Sequence, residues 1–147
     1  MNRLIFAIIA TAFIVLSAAS TMAGAKTSLN AGLSVKISKI KNDKGKLVVA
    51  LFDSKENFLK KTLSELSLDI GEGGEVLAQF YDIPPGIYAI AAYHDKNADG
   101  KLNTFMLVPR EDYGFSNDAR SMFGPPSFKS ASFEVGEQDM GIDFRVR

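Results

Sequence analysis

The chain has 147 residues, with 17 basic against 17 acidic side chains and no cysteine. A balanced charge offers no basic stripe for nucleic acid. Without cysteine there are no disulfides and no thiol chemistry, so the fold must stand on its apolar core.

Residues 1–25 read as a cleaved signal peptide. Arg3 supplies a positive start, Leu4 to Leu16 is an almost unbroken apolar run, and Ala23-Gly24-Ala25 makes an A-x-A pattern before Lys26. The run is short for a membrane span of about 20 residues, so cleavage is expected and no stable span remains. With no cysteine near the cleavage point, lipidation there is excluded. Cleavage removes only Arg3 from the charges, leaving 16 basic residues against 17 acidic. The mature chain is then exported, to the periplasm of a Gram-negative cell or otherwise outside it. Residues 26–31 read as a flexible lead-in and 32–147 as one domain, a length that suits a single core.

Leu33, Val35 and Ile37 alternate with polar residues, the period of a half-buried strand. After the polar cluster from Lys41 to Lys46, Leu47 to Phe52 is continuously apolar and predicts a strand buried on both faces. These two strands are expected to pair as a hairpin. Ser54 is placed to cap a short helical turn carrying Phe58 and Leu59. Leu66, Leu68 and Ile70 alternate again, as do Val76, Ala78 and Phe80 beyond Gly71-Glu72-Gly73-Gly74. Pro84-Pro85-Gly86 marks a strand end, since proline cannot donate to a sheet ladder. Ile87 to Tyr93 predicts a further strand.

Asn103 to Phe128 has no sustained period but carries five aromatic residues, so it reads as a long ordered loop packed on the domain. Ala131, Phe133 and Val135, then Met140, Ile142, Phe144 and Val146, predict a closing hairpin. About seven short strands without a long helix predict an all-β fold, an antiparallel β-sandwich of immunoglobulin-like or transthyretin-like type.

Asp95-Lys96-Asn97-Ala98-Asp99-Gly100 fits D-x-[DN]-x-[DN]-G, the opening half of a calcium loop. Oxygens at alternate positions of a tight loop converge on one cation, and the glycine permits the bend. The ligands would be Asp95, Asn97, Asp99, the Lys101 carbonyl and Asn103, with Leu102 anchoring the loop. Met106 stands where an EF-hand has its bidentate glutamate, so the completing carboxylate would come from Glu111, Asp112 or Asp118. The competing reading is an ordinary polar turn whose Asp and Asn side chains bond their own backbone. His94 is the single histidine. A metal-assisted hydrolase using His94 and Asp95 ranks last, because a lone histidine with only carboxylates for company makes a poor zinc site, and no serine, Ser116, Ser121 and Ser127 included, sits in a nucleophile motif.

The second candidate surface is the aromatic loop from Tyr113 to Phe128. Tyr113, Phe115, Asn117, Arg120 and Phe123 place polar groups among rings, as ligand surfaces do. They would serve a carbohydrate- or peptide-binding module facing an unidentified protein or glycan. The alternative is that the rings close one end of the sandwich.

Two resemblances arise from these residues. Ile83-Pro84-Pro85-Gly86-Ile87-Tyr88-Ala89-Ile90 resembles the L-P-P-G-x-Y turn and strand of transthyretin-like and collagen-adhesin B-type domains. From Leu33 to Arg147 the chain resembles a bacterial exported family, domain of unknown function 2141. Its pattern is carried by Lys44-Gly45-Lys46, Pro85-Gly86-Ile87-Tyr88, His94-Asp95-Lys96-Asn97 with Gly100-Lys101, Tyr113-Gly114-Phe115-Ser116-Asn117, and Phe123-Gly124-Pro125-Pro126 with Phe128. Family sequences often have Gly or Asn where Ala98 and Asp99 stand here, which makes this loop more acidic. The resemblance implies an exported β-sandwich and brings no established activity; the chain as a whole reads as a non-enzymatic domain.

Overall fold

The computed structural model describes residues 30–97, 100, 104–105, 108–109 and 111–147. The expected signal peptide and most of the expected lead-in, like Ala98, Asp99, Lys101, Leu102, Asn103 and Met106, lie outside the described residues. The lead-in is shorter than expected, because the first strand already starts at Ala31.

In chain order the strands are β1 (Ala31–Ser38), β2 (Lys46–Phe52), β3 (Ser64–Asp69), β4 (Val76–Ile83), β5 (Gly86–Asp95), β6 (Thr104–Phe105), β7 (Val108–Pro109), β8 (Tyr113–Phe115), β9 (Phe133–Val135) and β10 (Met140–Arg145). A 3₁₀ turn (Ser116–Asp118) and a one-turn helix α1 (Phe128–Ala131) lie between β8 and β9. One sheet has the order β10-β1-β4. The other runs β3-β2-β5-β8, with β9 also on β5, and β6 and β7 form a separate small hairpin. Among the described residues no helix is long and apolar enough to cross a membrane, which says nothing of crossing by strands.

The main core lies between the two sheets. Leu33, Val35, Ile37, Ala78, Phe80 and Phe144 from one meet Leu47, Val49, Leu51, Ile90 and Ala92 from the other. The alternation seen in β1 and β4 is the alternation of this inner face with solvent. The unbroken apolar run of β2 has a different cause. Its other face, with Phe52 and Ala50, joins Phe58, Ala89, Phe115 and Ala131 in a second core outside the sheet. Phe58 is the hub, with ring centroids 5.3 Å from Phe52, 5.7 Å from Phe128 and 6.2 Å from Phe115. Ser54 positions it, its hydroxyl accepting from the Asn57 N–H at 3.3 Å. The expected cap therefore forms, on a hydrogen-bonded turn that buries Phe58 and leaves Leu59 exposed.

Both expected hairpins are absent. β1 and β2 belong to different sheets, and the chain crosses between them after Lys39, whose φ is 68°. β9 pairs with Gly86–Tyr88 of β5, whereas β10 runs parallel to β1 from Leu33↔Met140 to Ser38↔Arg145. The sandwich is thus not wholly antiparallel. Alternation reports which face of a strand is buried and is silent about which neighbour completes its ladder.

The Pro-Pro-Gly turn is a corner between sheets. Its geometry is held by Tyr88, whose hydroxyl donates to the Pro84 carbonyl at 2.9 Å. Burial of that phenol, and the Asp53 carboxylate, push its pKa above the ordinary tyrosine value.

Candidate functional site

Two of the sequence motifs meet at one end of the sandwich. The Lys44-Gly45-Lys46 turn reaches the end of β5, where the His94 Nε2–H donates to the Lys44 carbonyl at 2.6 Å. Gly45 has φ +73°, and a Cβ there would collide with the Asp95 carbonyl oxygen, so this crossing requires glycine. The His94 backbone N–H donates to the Asp112 carbonyl at 2.8 Å. His94 is wholly buried, and its Nδ1 has no hydrogen-bond partner among the described residues.

Asp95, Glu111 and Asp112 are also buried here. Asp95 Oδ2 accepts from the Gly100 N–H at 2.7 Å, and Glu111 Oε1 accepts from the Lys96 N–H at 3.2 Å. These bonds hold the turn's own backbone. Asp112 pairs with the Lys41 ammonium at 2.6 Å and with Lys96 at 3.3 Å. Burial pushes its carboxyl up, but the two ammonium groups outweigh that and hold it below the ordinary value. Asn97 is exposed in the same turn. Asp99, Lys101 and Asn103 lie outside the described residues. Among the described residues no three acidic, histidine or cysteine side chains gather closely enough to hold a metal ion.

Asp118 does not belong to this end of the molecule's chemistry. Its Oδ1 accepts from the Arg145 backbone N–H at 2.9 Å, and its Oδ2 accepts from Arg145 Nε at 2.8 Å and from Nη2. The Arg145 hydrogen bonds lower its carboxyl pKa despite some desolvation.

The aromatic loop divides into two parts. Phe115 and Phe128 belong to the second core, so for them the closing role is the right one. Phe123 is 88% exposed and Met122 91% exposed. Tyr113, 38% exposed, stands edge-on to Phe115 with centroids 5.8 Å apart. Asn117 donates its amide to the Ser132 carbonyl at 2.8 Å, tying the 3₁₀ turn to the segment after α1. Its φ of 61° is one that asparagine tolerates better than most residues.

Ser116 is the residue whose importance the sequence did not signal. It is fully buried at the gap between β8 and β9 along the edge of β5. Its Oγ accepts from the Ile90 N–H at 2.9 Å and donates to the Ala131 carbonyl at 2.5 Å. One hydroxyl thus replaces the missing ladder partner of a central strand. Ser116 has no access to a substrate, and its chemistry is structural.

Beside this framework lies a surface cleft of about 260 Å³. Tyr113, Arg120, Ser121, Arg145 and Arg147 line it, with Asp118 in its wall. Gly114 forms part of the lining because β8 passes so close to β10 that a Cβ would strike the Arg145 carbonyl. The Tyr113 and Arg147 backbones exchange hydrogen bonds of 3.1 and 3.0 Å, which fix the last described residue against β8. Of the five expected surface residues, Tyr113, Phe115 and Arg120 line one cleft, Phe123 stands on its bordering segment, and Asn117 serves the fold.

No curated protein matches the chain, and no solved structure does. A family model does match, over residues 35–143, from within β1 to within β10, which stops short of Arg145 and Arg147 in the cleft. The chain therefore belongs to the bacterial family described as "Uncharacterized protein conserved in bacteria (DUF2141)".

Proposed function

We propose that the mature chain is an exported, non-enzymatic recognition domain that binds a small ligand, part of a glycan or a peptide, in the cleft beside Tyr113. The observation that carries this reading is the cleft itself, with exposed Phe123 on its bordering segment and Arg120 in its wall. Rigid aromatic groups around a few polar ones are what small-ligand sites generally use. A hydrolase reading is disfavoured because His94, the only histidine, is buried with Nε2 bonded to the Lys44 carbonyl. A glycan and peptide array tests the proposal. Binding that is lost in Phe123→Ala, with an unchanged melting temperature, supports it, and no binding across the array removes it. Phe115→Ala is unsuitable for this purpose, since it would empty a core position at a cost of about 3–5 kcal/mol.

A second reading concerns the Asp95–Asn103 loop as a weak structural calcium site. It rests on the D-x-[DN]-x-[DN]-G spacing and on the burial of the Asp95 and Glu111 carboxylates beside that loop, while their bonds to its backbone are those of a polar turn. With a dissociation constant of about 10⁻⁴–10⁻³ M, as in extracellular modules, calcium at about 10 mM would stabilise the fold by about 1.4–2.7 kcal/mol. Thermal unfolding with calcium and with chelator would reveal this as a shift that Asp95→Ala/Asp99→Ala abolishes. Equal melting temperatures would leave the loop as a turn. Export rests on residues 1–25. N-terminal sequencing of the protein from a fractionated cell should find Lys26 first, and a retained Met1 would contradict it.

A further inference from the structure

We infer that the cleft beside Tyr113 is built for a carboxylate, an assignment that rests on the recognition reading above and adds the ligand's charge. The chain holds five arginines among its 17 basic residues. Arg120, Arg145 and Arg147 are the three that fall among the described residues, and all of them line this one cleft. None of the described lysines lines it. A guanidinium presents a planar fork that matches an oxyanion through two parallel bonds, whereas an ammonium is a point charge.

The three arginines are not equivalent. Arg145 is neutralised by the two-point contact with Asp118, which orients it and fixes the wall. Arg120 and Arg147 have no ion-pair partner among the described residues. Arg147 also faces the Asp118 carboxylate electrostatically, so the lining carries three guanidinium groups against one carboxylate in a chain whose formal charge sums to zero.

Size and flanks narrow the ligand further. A volume of about 260 Å³ accommodates a single terminal residue or one sugar ring. Exposed Met122 and Phe123 beside the arginines favour an anion that carries an apolar body over bare phosphate. Met122 and Phe123 project from the segment that lines the cleft at Ser121 and Gly124. That segment is held by Ser121, whose hydroxyl donates to the Phe123 carbonyl at 3.0 Å and accepts from the Phe123 N–H at 3.3 Å. An acid with an apolar or ring-shaped body would place its charge on the arginines and its body along Tyr113 and Phe123. Such a carboxylate occurs at the C terminus of a peptide and on an acidic sugar.

NMR titration of the ¹⁵N-labelled protein separates these cases. The probes are N-acetyl-phenylalanine, its C-terminal amide, glucuronate and inorganic phosphate. Shifts at Gly114, Ala119, Arg120 and Ser121 with at least one of the two carboxylates, and none with the amide, are expected. Arg120→Gln, at an exposed position without a partner, should weaken that binding about tenfold or more without lowering the melting temperature. Response to N-acetyl-phenylalanine alone identifies a peptide terminus as the source, and response to glucuronate alone an acidic sugar. Equal binding of the amide overturns the carboxylate assignment while leaving recognition intact. Tighter binding of phosphate, or no response to either carboxylate, overturns it as well. Recognition itself is judged separately by the array and Phe123→Ala.

Discussion

Ser116 shows how much a single polar atom can hold in this fold. Its hydroxyl serves the Ile90 amide of a central strand and the Ala131 carbonyl of α1. Ser116→Ala would leave buried backbone groups without partners, at a cost of about 1–3 kcal/mol. Denaturant unfolding should show this as a lower midpoint with an unchanged slope. Gly45 is the other residue of this kind. Gly45→Ala would force a side chain against the Asp95 carbonyl at positive φ. It should therefore destabilise the protein more than an alanine substitution at an unstrained, exposed glycine, as comparative melting would show. Serine and glycine are common residues, and neither position could be singled out before their neighbours were known. The Asp95–Gly100 bond, by contrast, was legible in the motif, because an Asp at the start of such a turn commonly accepts from its backbone.

Between elements, ion pairs connect segments that are far apart in sequence. Asp118 joins the 3₁₀ turn to β10 through Arg145, and Asp112 joins the start of β8 to Lys41 in the turn after β1. Both carboxyls have pKa values lowered from the ordinary 3.8. A carboxyl whose folded-state pKa lies below its unfolded value stabilises the fold above the unfolded value. That contribution is lost as the pH falls through the folded-state pKa. Their contribution should therefore be complete at neutral pH and decline as acidification passes below 3.8. Asp118→Asn should cost about 0.5–1 kcal/mol at neutral pH, the upper range for a partly exposed but two-point pair. The gap between wild type and variant should close on acidification when both are unfolded by denaturant over a pH series. The sequence marked Asp118 only as one of three carboxylates that could complete the acidic loop. Its partner, 27 residues away, became visible only through packing.

For the whole molecule, the arrangement of strands decides where stability resides. β2 and β5 are central in their sheet, and β1 lies between β4 and β10, so their amides are bonded on both sides. β3 lies at an edge, with one neighbour. Hydrogen exchange should be slowest in Val49, Leu51, Ile90 and Val35 and faster in β3, since exchange at an edge needs only local opening. The β1–β10 pairing joins positions about a hundred residues apart, as in Leu33 with Met140. Such closure should make folding slow, in the millisecond-to-second range of β-rich folds, and stopped-flow refolding can measure it.

The strands themselves, and which of their faces turn inward, followed from the sequence because alternation is a local property of a pleated chain. The double burial of Leu47 to Phe52 was legible for the same reason, although the second core that causes it was not. The pairing of β1 with β10, the separation of β9 from β10 and the anchoring of Phe115 beneath the surface depend on which apolar faces can meet in space. The cleft is of that second kind as well. Arg120, Arg145 and Arg147 are scattered along the chain, and only the return of β10 beside β8 brings their guanidinium groups to one concave surface.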